Sequence, residues 1–263
     1  MFTENQLSEI KKLISPEKKV VIITHYNPDG DAIGSALGLK HFLNNMGVEP
    51  TVLAPNDFPK FLKWMPDAKK VVIAEYKRKT AGEAIYKADV IFCLDFNAHN
   101  RIGILGDWLM KSWAKKILID HHQQPEDFDY VYSDVTIPAT CQMVYHFIEA
   151  LGREDLVDQN VAECLYTGIM TDTGGFRFRS TSATTHRIVA NLIEKGANPA
   201  MITSNTWDTN SVSRLHLLSL ILGRIELVKD GKVAVLYLKR EELKEFGFEK
   251  GDTEGFVNYG LSI

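Results

Sequence analysis

Four short stretches of the chain concentrate the side chains that can do chemistry. They are His25-Tyr26-Asn27-Pro28-Asp29-Gly30-Asp31, then Asp95, then Asp120-His121-His122, and last Thr171-Asp172-Thr173-Gly174-Gly175. If Asp29, Asp31, Asp95 and Asp172 converge, four carboxylates share one small volume, and each unpaired buried charge costs several kcal/mol. Two divalent cations remove that cost. One carboxylate can bridge both ions, and two histidines can complete the donor set. Mixed imidazole and carboxylate donors suit manganese, with cobalt or magnesium as the other candidates. Two such ions about 3.5–4 Å apart activate water and clamp a phosphoryl oxygen, so the residue types point to hydrolysis of a phosphate ester. A calcium loop begun at Asn27 fails, because its sixth and twelfth positions are Ala32 and Gly38 where a glycine and an acid are required. Gly30, Gly34 and Gly38 do not form a dinucleotide-binding GxGxxG; their four-residue spacing predicts a smooth helix face packed close to a sheet.

The elements that must position these groups are legible as apolar runs. Val20–Thr24, Val71–Ala74, Val90–Leu94 and Ile117–Ile119 are Val-, Ile- or Leu-rich on both faces, as strands buried in a mostly parallel sheet are, and Thr51–Ala54 reads as a weaker fifth. A helical pattern, Ala32–Met46, stops at Gly47. Strands alternating with helices predict an α/β sheet flanked by helices. His25–Asp31, Asp95 and Asp120–His122 then follow strand ends, the edge at which open α/β sheets bind ligands. Beyond Tyr132 the pattern turns helical, over Pro138–Leu151, Val157–Met170, Ser182–Lys195 and Ser211–Leu222. Arg224–Val228 and Lys232–Leu238 read as a hairpin around Lys229-Asp230-Gly231. The expected organisation is a phosphoesterase domain over residues 1–197, a helical linker over 198–223, and the beginning of a smaller α+β domain over 224–263.

Composition narrows the partners. A net charge of −4 and a pI near 6.1 argue against sequence-blind binding to long nucleic acid, which uses a basic face to neutralise many phosphates. A short anionic substrate held by cations and a few arginines remains compatible. Cys93, Cys141 and Cys164 cannot all pair and lack zinc-type spacing, so they are expected as reduced core residues of a cytoplasmic protein. No apolar run is as long as a membrane span. Phe2, Leu7, Ile10, Leu13 and Ile14 lie at helical spacing among polar residues, an amphipathic helix rather than a signal peptide.

Taken together, His25-x3-Asp29-x-Asp31, the strand-end Asp95, Asp120-His121-His122 and Thr171-Asp172-Thr173-Gly174 resemble the successive motifs of the DHH phosphoesterase superfamily, in the order that family requires. The branch they resemble is that of the bacterial oligoribonucleases and pAp phosphatases. The resemblance implies that His25 and Asp29 hold one metal, that Asp31, His121 and Asp172 hold the other, and that Asp95 bridges them. It makes His122 a phosphate contact or general acid, with Asp120 buttressing the histidines. Arg101 resembles the family's phosphate-contacting arginine. Phe176, Arg177 and Arg179, just beyond Asp172, are expected to meet a nucleotide, because arginine pairs with phosphate and aromatic rings stack on bases.

The activity so implied is metal-dependent hydrolysis of short oligoribonucleotides, 3′-phosphate removal from adenosine bisphosphate, or both. Inorganic pyrophosphatase and a non-catalytic nucleotide-binding module are the alternative readings. The family's C-terminal domain carries a GGGH loop that does not occur here. The segment from Glu254 to Tyr259 resembles that domain's beginning, so a truncated domain, weak substrate binding and self-association as a homodimer are expected.

Overall fold

The apolar runs form one sheet because residues buried on both faces leave no polar side to expose. The computed structural model describes residues 2–249 and 251–263. It places β1 (Val20–Ile23), β2 (Thr51–Ala54), β3 (Val72–Ile73), β4 (Val90–Leu94), β5 (Lys115–Asp120) and β6 (Tyr130–Ser133) in a six-stranded sheet of order β3-β2-β1-β4-β5-β6. Every neighbouring pair is parallel, with Val21 opposite Thr51 and Ile91, and Phe92 opposite Ile117. The chain leaves β1 for β2 on one side and reaches β4 on the other. The crevice of a doubly wound sheet therefore opens between the carboxyl ends of β1 and β4.

Helices α1 (Glu4–Leu13), α2 (Gly30–Asn45), α3 (Arg78–Lys87), α4 (Ile104–Lys111), α5 (Thr140–Leu151), α6 (Gln159–Asp172) and α7 (Ala183–Glu194) accompany the sheet. Local chemistry sets their ends. Asp29 caps α2, Asp158 caps α6, Ser182 forms a capping box with Thr185 at α7, and α5 stops at Gly152 with φ 67°. No helix among the described residues is long and apolar enough to cross a membrane.

The glycine face of α2 departs from expectation: it packs against α6, not against the sheet. A Cβ on Gly34 would lie 2.6 Å from the Cys164 carbonyl oxygen, and one on Gly30 would lie 2.4 Å from Thr171 Oγ1. Gly168 on α6 completes the contact, its notional Cβ 2.1 Å from Cys141 Sγ and 2.9 Å from Asp31 Oδ1. Removing side chains lets the two backbones approach. That approach brings the start of α2, with Asp31, to the end of α6, with Asp172.

The chain divides into two compact units, Met1–Phe58 with Leu62–Ile202 and Pro59–Phe61 with Thr203–Ile263, so that α8 (Pro199–Thr206) spans the division. The second unit holds α9 (Val212–Leu222), the antiparallel pair β7 (Glu226–Val228) and β8 (Val233–Val235), α10 (Arg240–Glu245) and α11 (Val257–Gly260). Helix α9, expected as part of a linker, contributes Leu217 and Ile221 to an apolar cluster with Phe256.

Candidate metal centre

The sheet's carboxyl edge gathers the chemistry-bearing groups of the first unit. His25 and Asp29 belong to the β1–α2 loop, where Asp29 Oδ1 accepts the amides of Asp31 and Ala32 at 3.0 Å each. Asp95 directly follows β4 with φ 64°, a left-handed conformation that few residues besides glycine, Asn and Asp adopt readily. Its carboxylate is 2% exposed and faces both ways. Oδ2 lies 3.5 Å from His25 Nε2, and Oδ1 lies 3.4 Å from His121 Nε2. Asp31 and Asp172 approach His121 Nε2 to 4.0 Å and 3.5 Å, and Asp29 approaches His25 Nε2 to 3.8 Å.

These separations exceed the reach of a good hydrogen bond. They fit donors that share a cation instead: two ligand atoms about 2.1 Å from one ion, at a tetrahedral angle, stand about 3.4 Å apart. Three such groups occur among the described residues, His25 with Asp29 and Asp95, Asp31 with His121 and Asp172, and Asp95 with His121 and His122, each with its donor atoms within 4.8 Å of one another. Both histidines are aimed. His25 Nδ1 donates to the Tyr26 carbonyl at 2.8 Å and His121 Nδ1 to that of Ile137 at 3.3 Å, which turns each Nε2 toward the carboxylates.

Helix α5 supplies a support that the spacing of acids and histidines does not reveal. Its first amides, of Thr140 and Cys141, donate to Asp31 Oδ2 at 2.6 Å and Oδ1 at 2.8 Å. The Thr140 hydroxyl donates to Asp95 Oδ1 at 2.9 Å. A helix N-terminus thus holds one carboxylate and steadies another. The one sequence cue to it is the Pro138-Ala139-Thr140 start of the helix.

Residues 19–169, more than half of the chain, match the DHH family, N-terminal domain. The chain belongs to the DHH family. Among its DHH relatives is the bifunctional oligoribonuclease and PAP phosphatase NrnA of Thermus thermophilus, 30% identical over 96% of this chain and 72% of that protein. The Bacillus subtilis protein of the same name is 24% identical over 95% of this chain and 76% of its own length. A solved structure of an exopolyphosphatase-related protein from Bacteroides fragilis superimposes with a TM-score of 0.95 at 40% identity, covering 99% of this chain and 77% of that one.

The charge balance of the DHH cluster without cations shows what they would relieve. Burial opposes a charged His25, but Asp29 and Asp95 outweigh it and raise the imidazole to about 11. At His121 burial is likewise outweighed, chiefly by Asp95, and the group rises to about 10. Asp95 is held well below the carboxylate range, its burial overcome by His121 and His25. Burial and then the Asp95 charge push Asp172 up to about 7 and raise Asp31 as well. Protonation would therefore neutralise the cluster where cations do not.

The remaining candidate residues fall as follows. His122 Nδ1 donates to Asp120 Oδ1 at 2.7 Å, which leaves Nε2 available. Asp120 was expected to buttress both histidines; it engages His122 only, because His121 turns to Ile137, and its buried Oδ2 has no partner among the described residues. Arg101 lies on the exposed turn whose carbonyl binds the Tyr26 amide at 2.7 Å, beside His25. Arg177 Nε is tied to the Gly174 carbonyl at 2.7 Å, and Arg179 is exposed. Phe176, expected to stack on a base, packs its ring against Tyr166 and His186; the exposed ring of this turn is Phe178.

Proposed function

We propose that this DHH protein is a two-metal phosphoesterase that hydrolyses short oligoribonucleotides, removes the 3′-phosphate of adenosine bisphosphate, or does both. The observation that carries the reading is Asp95, whose two oxygens face two separate donor groups 3.5 Å and 3.4 Å away. In this reading His25 and Asp29 would hold one ion, Asp31, His121 and Asp172 would hold the other, and Asp95 would be available as a ligand to both. Manganese suits the mixed nitrogen and oxygen donors. Bound there, the ions would supply neutralisation of phosphoryl charge and activation of water.

The protein's own groups do the rest. Asp120 accepts from His122 Nδ1 and orients the ring, so that Nε2, when it too carries a proton, can hold the scissile phosphate or pass that proton to the leaving oxygen. Arg101, beside His25, contributes a fixed positive charge for a substrate phosphate. The oligoribonuclease and phosphatase names of the relatives support nucleotide substrates. The three free, buried cysteines fit a reducing compartment, and we place the protein in the cytoplasm.

The test is a panel run with manganese: a short RNA, adenosine bisphosphate, inorganic pyrophosphate and an activated aryl phosphodiester. Turnover of the first two over pyrophosphate is expected; preference for pyrophosphate, or no turnover at all, refutes the reading. His122→Ala is expected to lower kcat by about 10²–10⁴-fold with both ions retained. Arg101→Ala is expected to raise KM more than it lowers kcat.

A further inference from the structure

We propose that Asn56 is a positioning residue for the His25 and Asp29 half of the metal centre. The inference rests on the two-ion reading above. Asn56 follows β2 and is 6% exposed, a buried amide outside every motif that carries the chemistry. It forms a reciprocal pair with Asn27. Asn56 Oδ1 accepts the Asn27 amide at 2.7 Å, and Asn56 Nδ2 donates to Asn27 Oδ1 at 2.7 Å.

Asn27 stands midway between His25 and Asp29, and it is strained. Its φ is 56°, in the left-handed region, while Pro28 follows it. A residue before proline favours extended backbone, so a left-handed Asn27 must be held in place. Asn56 holds it from a firm base. Thr24 and Leu53 join β1 to β2 by an amide–carbonyl bond of 3.2 Å, and the Glu75 amide binds the Pro55 carbonyl at 3.1 Å. The pair thus transmits the sheet's position to the loop that presents Asp29. The other half has different supports: Asp31 is held by the amides of Thr140 and Cys141, and His121 by Ile137. The effect of Asn56 is therefore selective for one half.

The experiment titrates manganese into the metal-free full chain and follows it by calorimetry and electron paramagnetic resonance. Wild type is expected to bind two ions and show a spin-coupled pair. Asn56→Ala is expected to weaken one binding step by about 10–100-fold, the range seen when a residue behind a ligand is removed. The other step should stay within about threefold, so the first equivalent gives the spectrum of an isolated ion. The metal-free melting temperature should fall only as far as the loss of the two Asn56 hydrogen bonds accounts for. Asn56→Asp keeps the shape and the acceptor but loses the donor, and a smaller weakening of the same step is expected. Equal weakening of both steps, or of neither, overturns the proposal, with the Asp variant deciding should the Ala variant not fold. A wild type that binds fewer than two ions refutes the two-ion reading itself.

Discussion

The two halves of the proposed metal centre are held by opposite means. His25 and Asp29 come from one loop, Asp29 caps its own helix, and its side chain is 48% exposed. Asp31, His121 and Asp172 come from three distant segments, and the Asp31 side chain is 1% exposed and gripped by the amides of a fourth, α5. Water can solvate Asp29 when no cation is present. Asp31 has no such recourse, because a buried carboxylate without a counter-charge either takes a proton or destabilises the fold. A local half can be rebuilt by its own loop; a long-range half depends on the packing of α2, α5 and α6.

Asp95 faces both proposed halves, so its replacement is expected to disrupt both. Asp95→Asn retains the shape and tolerates φ 64°, but it removes the charge that each half uses. Phosphoester hydrolysis is expected to fall by at least about 10³-fold, with the paired-ion signal lost. Retention of the coupled pair in this variant would show that Asp95 does not link the halves.

The next contrast separates them. Asp31→Asn presents an amide to the two N–H donors of Thr140 and Cys141, leaving one buried donor facing another. The second ion is expected to be lost, and the melting temperature in manganese to fall by the equivalent of about 1–3 kcal/mol. Asp29→Asn keeps a good helix cap and should cost under about 0.5 kcal/mol of metal-free stability while emptying only the first half. Metal counting by mass spectrometry under native conditions reads both outcomes. Equal ion losses in the two variants would mean that the halves do not bind independently.

Acidity sharpens the same difference. Without cations His25 and His121 are raised to about 11 and about 10, and Asp172 to about 7, so each must release a proton before it can bind an ion at low pH. Affinity therefore rises with pH. The first half displaces the His25 proton, about a tenfold gain per pH unit. The second half displaces protons from His121, from Asp172 below about 7, and from the raised Asp31, so its gain is steeper in acid. Manganese titrations between about pH 5.5 and 7.5 check the two slopes; parallel lines would remove the electrostatic distinction between the halves.

The same local and long-range division explains what the sequence could reveal. Strands β1, β4 and β5 were legible because Val, Ile and Leu on both faces leave one solution, a covered parallel sheet. Strand β6, Tyr-Val-Tyr-Ser and only partly buried at the sheet's edge, carries no such run and went unread, as did the short helices α3 and α4. Acids and histidines at strand ends stood out by position, and the structure gathers them. Thr140, the Cys141 amide and Asn56 did not stand out, since their roles arise from contacts across 29 to 110 residues. The glycine face of α2 was visible as a pattern, but only packing shows that α6 fills it. Phe176 looked like a base platform by adjacency to Asp172; its φ of 65° instead turns with a ring packed beside Tyr166.

The smallest expected effect tests whether the two oxygens of Asp95 serve different halves. Thr140 Oγ1 donates to Oδ1, the oxygen on the His121 side, at 2.9 Å, whereas Oδ2 faces His25. Thr140→Val keeps the branched shape and the backbone amide that holds Asp31, and removes only the hydroxyl. Both partners are buried, so Oδ1 loses its hydrogen bond with no water to replace it, a cost of about 1 kcal/mol. That corresponds to about a fivefold loss of affinity. The loss should appear in the second half alone, because the carboxylate is still held on the His25 side by the αL turn of its backbone. A fivefold weakening of both binding steps would show instead that Asp95 responds as a rigid unit, with the hydroxyl setting its orientation toward both ions at once.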